Sequence, residues 1–173
     1  MKEYIGGIEL IKRIEEIRKC LENKLFEAAL ALALTLPDIC GQVELPKEKS
    51  VINRYTYWID NHVDKTVFSS QVFDRSFHCL SSTDIYKLRC SFLHSGDDDI
   101  DNSQIDEFHL LSPDKTKEEY GYRYGIQREA GGPEKHTAEI DIKYLSEMLC
   151  TFAEKYYQTK QPDDFTDHTF TLG

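Results

Sequence analysis

Through the first 95 residues, apolar side chains recur every three or four positions with charge between them, and that period predicts helices. Leu10, Ile14, Ile17 and Leu21 form the first such stripe, so residues 8 to 22 read as an amphipathic helix with one buried face. "LFEAALALALTLP" follows almost at once. It is apolar nearly all round, which suits a central helix packed on several sides, and Pro37 is expected to end it because proline cannot donate the helix hydrogen bond. Ile52, Tyr55, Trp58 and Ile59 mark a third helix in "SVINRYTYWIDNHV", with Ser50 as its N-cap. A fourth lies in "SSTDIYKLRCSFLHSG". There Ser81 precedes Asp84 by three as in a capping box, Ile85, Leu88 and Phe92 make the apolar face, and Gly96 suits the left-handed residue after the last turn.

Beyond that point the period changes. "DDDIDNSQID" is a loop by composition, and "FHLLS", "YGYRYGIQ" and "TAEIDI" are short alternating or aromatic-rich stretches, the candidate strands, with "GGP" at 131 to 133 as a turn. "YLSEMLCTFAEKYYQ" returns to helical spacing through Leu145, Met148, Leu149, Phe152 and Tyr156. The expected fold is therefore mainly α: an up-and-down helical bundle of about five helices with a small antiparallel β-sheet inserted before the last helix. It reads as one domain over residues 1–160, with the strand insertion at about 107–142 and a loose C-terminal tail at 161–173.

Composition narrows the class. A chain of 173 residues holds one sizeable core but not two comfortable ones. The 40% hydrophobic and 30% charged content is that of an ordinary soluble protein, and no apolar run approaches the roughly 20 residues that cross a bilayer. Charge enters "MKEYIGGIELIKRIEE" from the start, unlike a signal peptide, so no membrane is expected and the cytoplasm is the expected location. Cys20, Cys40, Cys79, Cys90 and Cys150 are widely spread and lack a CxxC pair, which fits buried reduced thiols rather than disulfides or a zinc site. The net charge is −10, yet Met1 to Gly96 carries 13 basic and 13 acidic residues, so the whole excess lies in the second half. A local basic cleft in the first half remains open, whereas a broad surface for long nucleic acid does not.

Most chemical motifs are missing their physical parts. Asp97, Asp98, Asp99 and Asp101 alternate as in a calcium loop, but the required glycine is Asn102 and the bidentate glutamate is Phe108, so a solvated acidic loop is expected. His62, His78, His109, His136 and His168 show neither HxH nor HExxH spacing, and no GxxxxGK, GxGxxG or GxSxG turn occurs. Neither a metal nor a cofactor is expected. Arg89 and His94 remain. Chance alone yields roughly 0.7 arrangements of Arg, four to six residues, His in such a composition, so context has to carry the pair. Arg89 follows Ile85 by four at the edge of the apolar face, where a guanidinium needs an anion or a carboxylate such as Asp38 or Asp84. His94 falls in the last helical turn, whose free carbonyls favour an imidazolium. Five residues of regular helix turn through about 140°, so either the last turn opens or a second copy of the chain completes the site.

The order of segments, with "LALALTLPDICG", "RYTYWID" and above all "LRCSFLHSG", resembles the HEPN superfamily over roughly residues 8 to 160, in particular small bacterial proteins of that type. The resemblance implies an all-helical bundle that dimerises and a metal-independent ribonuclease of toxin, phage-defence or RNA-processing systems. The family's motif, Arg, four to six residues, His, falls on Arg89 and His94. It implies a catalytic pair acting on RNA, most readily single-stranded, in a homodimer that an antitoxin or regulatory protein could control. The residue after the motif arginine, commonly Asn, Asp or His in that family, is Cys90 here. Other members only bind or scaffold, so the alternative is a non-catalytic HEPN-like dimerisation module or a protein- or nucleotide-binding one.

Overall fold

The structure, a computed structural model, describes residues 5–72, 75–78, 80–96, 100, 104–113, 121–128, 130–161 and 164. The tail at 161–173 and the acidic positions 97–99 and 101 fall almost wholly outside the described residues, so those two expectations are not addressed. The described residues are mainly helical, with six α-helices and one 3-10 turn among them. They belong to two compact units, Met1–Val63 with Ser146–Gly173, and Asp64–Leu145.

The first unit is all-helical. Helix α1 (Ile5–Glu22) buries Leu10, Ile14, Ile17 and Leu21, the stripe that its period predicts. The apolar segment that follows is two helices rather than one: α2 (Phe26–Ala33) and α3 (Leu36–Glu44). Pro37 does not end the segment but lies in the first turn of α3. The break comes one turn earlier, at Leu34–Thr35, where Thr35 N–H reaches back three residues to Leu32 O at 3.0 Å. A continuous helix would press the proline ring on the carbonyl four residues before it, whereas a first turn has no use for the missing N–H. Counted across both helices, Phe26–Glu44 is 19 residues long and contains a stretch of mean hydropathy 1.3, long and apolar enough by composition alone to cross a membrane, as buried core helices also are; half of that stretch is buried in the fold.

Ser50 accepts from Asn53 N and opens α4 (Val51–His62), which buries Tyr55, Trp58 and Ile59 while Ile52 stays 39% exposed. Gly41 lets α3 and α4 approach closely, since a Cβ there would stand 2.6 Å from Arg54 O. Arg54 crosses the same contact to Asp38, with Nη2 to Oδ1 at 2.9 Å. The last helix, α6 (Ile142–Gln158), adds Met148, Leu149, Ala153 and Tyr156 to the buried set, and Glu154 grips Arg18 of α1 through two hydrogen bonds of 2.6 and 2.8 Å.

The second unit carries the strands and one helix. A single 3-10 turn at Lys65–Phe68 leads into an antiparallel hairpin, β1 (Ser69–Val72) and β2 (Arg75–His78), which the sequence period does not announce because each strand is four residues long. Helix α5 (Ser82–Ser95) begins in the expected capping box, Ser81 with Asp84, and stops at Gly96 with φ +66°. The three expected strands are β3 (Glu107–Leu111), β4 (Tyr122–Arg128) and β5 (Glu134–Asp141). Their sheet sits before the last helix as expected, but it is mixed rather than antiparallel, with order β3-β5-β4 and β3 parallel to β5. Three strands that reverse direction in turn become mixed once the third inserts between the first two. Turn residues mark the reversals, not the order.

Candidate functional site

Arg89 and His94 both lie on α5, and the structure does not bring them together within one chain. The helix runs unbroken to Ser95, where Gly96 N–H caps it on Phe92 O at 3.1 Å, so the last turn does not open. The two residues therefore project about 140° apart. Going round the helix from the buried side of Ile85 and Leu88, the sequence of faces is Arg89, Leu93, Tyr86, Cys90 and His94. Arg89, Tyr86 and Cys90 are half-buried, Leu93 is 37% exposed and His94 is exposed.

The guanidinium is poorly satisfied. Its Nη1 reaches the Cys90 sulfur at 3.9 Å, a weak acceptor, and its Cζ stands 5.8 Å from the centre of the Tyr86 ring. Its Nε is buried with no hydrogen-bond partner. Neither carboxylate suggested by the sequence serves it: Asp38 is held by Arg54, and Asp84 accepts from both the backbone and the hydroxyl of Ser81 at 2.8 and 2.7 Å. Among the described residues Arg89 makes no ion pair, and His94 makes neither an ion pair nor a hydrogen bond.

A second constellation, which no spacing rule singles out, lies in the first unit. Cys40 and Glu44 are four apart on α3, Trp58 and His62 four apart on α4, and Tyr156 and Lys160 four apart at the end of α6 and just beyond it. Each pair shares a helix face, and the three pairs converge on the Glu44 carboxylate. Tyr156 OH donates to it at 2.8 Å, Lys160 Nζ at 2.7 Å, and His62 Nε2 stands 3.8 Å away. Burial pushes the Glu44 carboxyl up, but the hydrogen bonds from Lys160 and Tyr156 and the charges of Lys160 and His62 outweigh it, so the group ends below the usual carboxylate range. Burial and the bond to Glu44 push the Tyr156 phenol well up, which keeps it a donor. The signal that could have found this cluster, three i,i+4 pairs of polar and aromatic residues, is common in helices and becomes specific only once the helices are packed.

The remaining candidates carry little chemistry. Cys40 and Cys150 are buried free thiols, and burial pushes Cys150 up to about 12 and Cys40 higher, so both stay protonated; Cys20 and Cys90 are half-buried and free. Among the described residues no group of three His, Cys, Asp or Glu side chains is arranged to hold a metal. A cleft of about 390 Å³ lies by Gln42, Leu45, Glu48 and Arg54, but Arg54 is bound to Asp38 and Glu48 O, and Glu48 accepts from Ser50 N and Asn53. On the sheet, Tyr124 OH lies against His136 Nδ1, and His136 N–H donates to Asp106 at 2.6 Å. No family model, no curated protein and no solved structure matches the chain significantly.

Proposed function

We propose that the chain is a HEPN-type, metal-independent endoribonuclease of the toxin or phage-defence kind, working in the cytoplasm as a homodimer, with Arg89 and His94 as its catalytic residues. The observation that carries this reading is Arg89 itself: a half-buried guanidinium whose Nε is buried and unpartnered, while the two carboxylates that the sequence suggests for it, Asp38 and Asp84, are engaged elsewhere. A buried donor left empty is costly in a protein that uses Arg89 only for packing, and an anion fills it. The regular course of α5 favours a site completed by a second copy, because one chain cannot aim both side chains at one phosphate.

In such a site His94 takes the proton of a ribose 2′-hydroxyl, whose oxygen attacks the adjacent phosphorus. Arg89 stabilises the charge that builds on the phosphorane oxygens. The 5′-oxygen leaves and takes up a proton from the partner copy's imidazole, giving a 2′,3′-cyclic phosphate and a 5′-hydroxyl. Single-stranded RNA is the fitting substrate, since the attacking and leaving oxygens must come into line. An antitoxin or regulatory protein would act by covering the side of α5 that runs from Arg89 round to His94. The 140° separation also favours a second reading, in which this face is a non-catalytic dimerisation or protein- or nucleotide-binding surface. Incubation of the purified protein with single-stranded RNA in EDTA separates the two: cleavage to cyclic phosphate ends, lost in Arg89→Ala and His94→Ala with fold retained, supports the first. Equal residual cleavage in both variants, or none in the wild type, rejects it.

A further inference from the structure

The Glu44 cluster has no part in that reading, and its geometry is uneven. Oε2 of Glu44 accepts from both Tyr156 and Lys160, while Oε1 faces His62 Nε2 at 3.8 Å. That distance is within reach of an ion pair but too long for a hydrogen bond. His62 Nε2 is buried and has no hydrogen-bond partner. The imidazole is held by rings, 4.8 Å from Tyr156 edge-on and 5.9 Å from Trp58. Lys160 is held differently. Its ammonium also lies over the Tyr156 ring at 4.9 Å, and its backbone stands beyond the end of α6, tied by Thr159 N–H to Tyr156 O and Lys160 N–H to Tyr157 O.

We propose that His62 and Lys160 compete for Glu44: a proton taken from solvent by His62 exchanges the Glu44–Lys160 pair for a Glu44–His62 pair and releases the backbone that follows α6. Glu44 carries one negative charge, and two cations gathered on it repel each other. Lys160 has an alternative, because its long stem can carry the ammonium into water. His62 has a shorter side chain, whose Nε2 is buried beside the Trp58 and Tyr156 rings.

The other charges around the imidazole are consistent with this order of events. Burial holds His62 below the ordinary histidine value of 6.5, Glu44 pulls it back up, and Lys160 pushes it down again, a balance that favours the neutral ring. The hydrogen bonds from Lys160 and Tyr156 hold the Glu44 carboxyl below its ordinary range, which favours its ionised form. From α3 the other titratable neighbour is Cys40, and from α6 it is Tyr156, both uncharged; Asp164 contributes negative charge on the Tyr156 side. The same acid that protonates His62 therefore leaves a single carboxylate for it and Lys160 to share.

The test is amide hydrogen exchange at Thr159 and Lys160, corrected for the intrinsic rate, between about pH 8 and pH 5. Trp58, the chain's one tryptophan, reports the charge on His62 by its fluorescence. Protection of both amides should fall by at least about threefold, with a midpoint below 6.5 that coincides with quenching of Trp58. His62→Gln should abolish both changes. Lys160→Met should move the NMR titration of the His62 ring upward, and this holds whether or not His62→Gln folds. Protection that ignores pH in the wild type, an unchanged pH response in folded His62→Gln, or an unmoved His62 midpoint in Lys160→Met overturns the proposal.

Discussion

The guanidinium of Arg89 and the carboxylate of Glu44 are both half-buried charges, yet the fold treats them in opposite ways. Glu44 is met by a histidine from α4 and by a tyrosine and a lysine from the end of α6 and the turn after it, and its ionised form is favoured. Arg89 is met by a sulfur and a ring, and its Nε is left buried and alone. The difference separates a charge that the described residues pair within a helical unit from one that they leave without an ion pair. Buried polar groups are paired in the great majority of cases, so the unpaired one is the more informative.

The largest effect should fall on the satisfied side of this comparison. Trp58 is fully buried, and its ring packs edge-on to Tyr156 at 6.0 Å and beside His62. Trp58→Ala should cost about 3–5 kcal/mol of stability, read from urea unfolding. A loss under about 1 kcal/mol would mean that the cluster is surface decoration, and the contrast with Arg89 would fail. Next comes Arg89→Ala, which should reduce RNA cleavage by roughly 10²- to 10³-fold, the usual consequence of removing a donor to a transition-state oxyanion. Activity within a factor of a few of wild type would make the unpaired Nε a mere packing defect.

Glu44→Gln keeps the shape of the side chain but strips the charge, leaving Lys160 without its partner. About 1–3 kcal/mol should be lost near neutral pH, and the pH dependence should sharpen the assignment. Glu44 is held below its ordinary value, so its contribution is present above about 4.5 and is lost as pH falls through the lower folded value. His62 is also depressed: its neutral form stabilises the fold above 6.5, and that share is lost as pH falls through the folded value. The unfolding midpoint of the wild type should therefore decline in acid, and Glu44→Gln and His62→Gln should each make that decline shallower.

Much of the scaffold was legible in advance and little of the convergence was. The stripe Leu10, Ile14, Ile17 and Leu21, the Ser81–Asp84 box, the Gly96 stop and the three strands each follow from local rules, and each appears where expected. Pro37 shows the limit of such rules, because a residue that ends one helix can as well begin another, and only packing selects between the two. The parallel pairing of β3 with β5 has no local signal either. Arg89 and His94 could be nominated because their spacing is linear. The Glu44 cluster could not, because its meaning resides in the meeting of α3, α4 and α6 rather than in any one segment.

Helix capping offers a smaller effect within the unit that holds Arg89. Ser81→Ala removes the side-chain acceptor for Asp84 N–H and the hydroxyl that donates to Asp84 at 2.7 Å, and should cost about 1 kcal/mol. If α5 also positions Arg89, cleavage should fall only as far as folding does.

The smallest change in stability is the one that bears most directly on the contrast. Arg89→Met keeps a long apolar stem against Tyr86 and Cys90 and removes the buried Nε that nothing satisfies. For a charge that is paired in the native state, such a substitution destabilises, because it leaves a partner uncompensated. Arg89 has no such partner among the described residues, so Arg89→Met should leave unfolding stability within about 0.5 kcal/mol of wild type or raise it, while cleavage disappears. A substitution that improves or preserves the fold and abolishes the activity is the mark of a residue kept for its ligand. If Arg89→Met instead destabilises as much as Glu44→Gln does, the two charges are alike, and Arg89 belongs with Glu44 among the groups that hold the protein together.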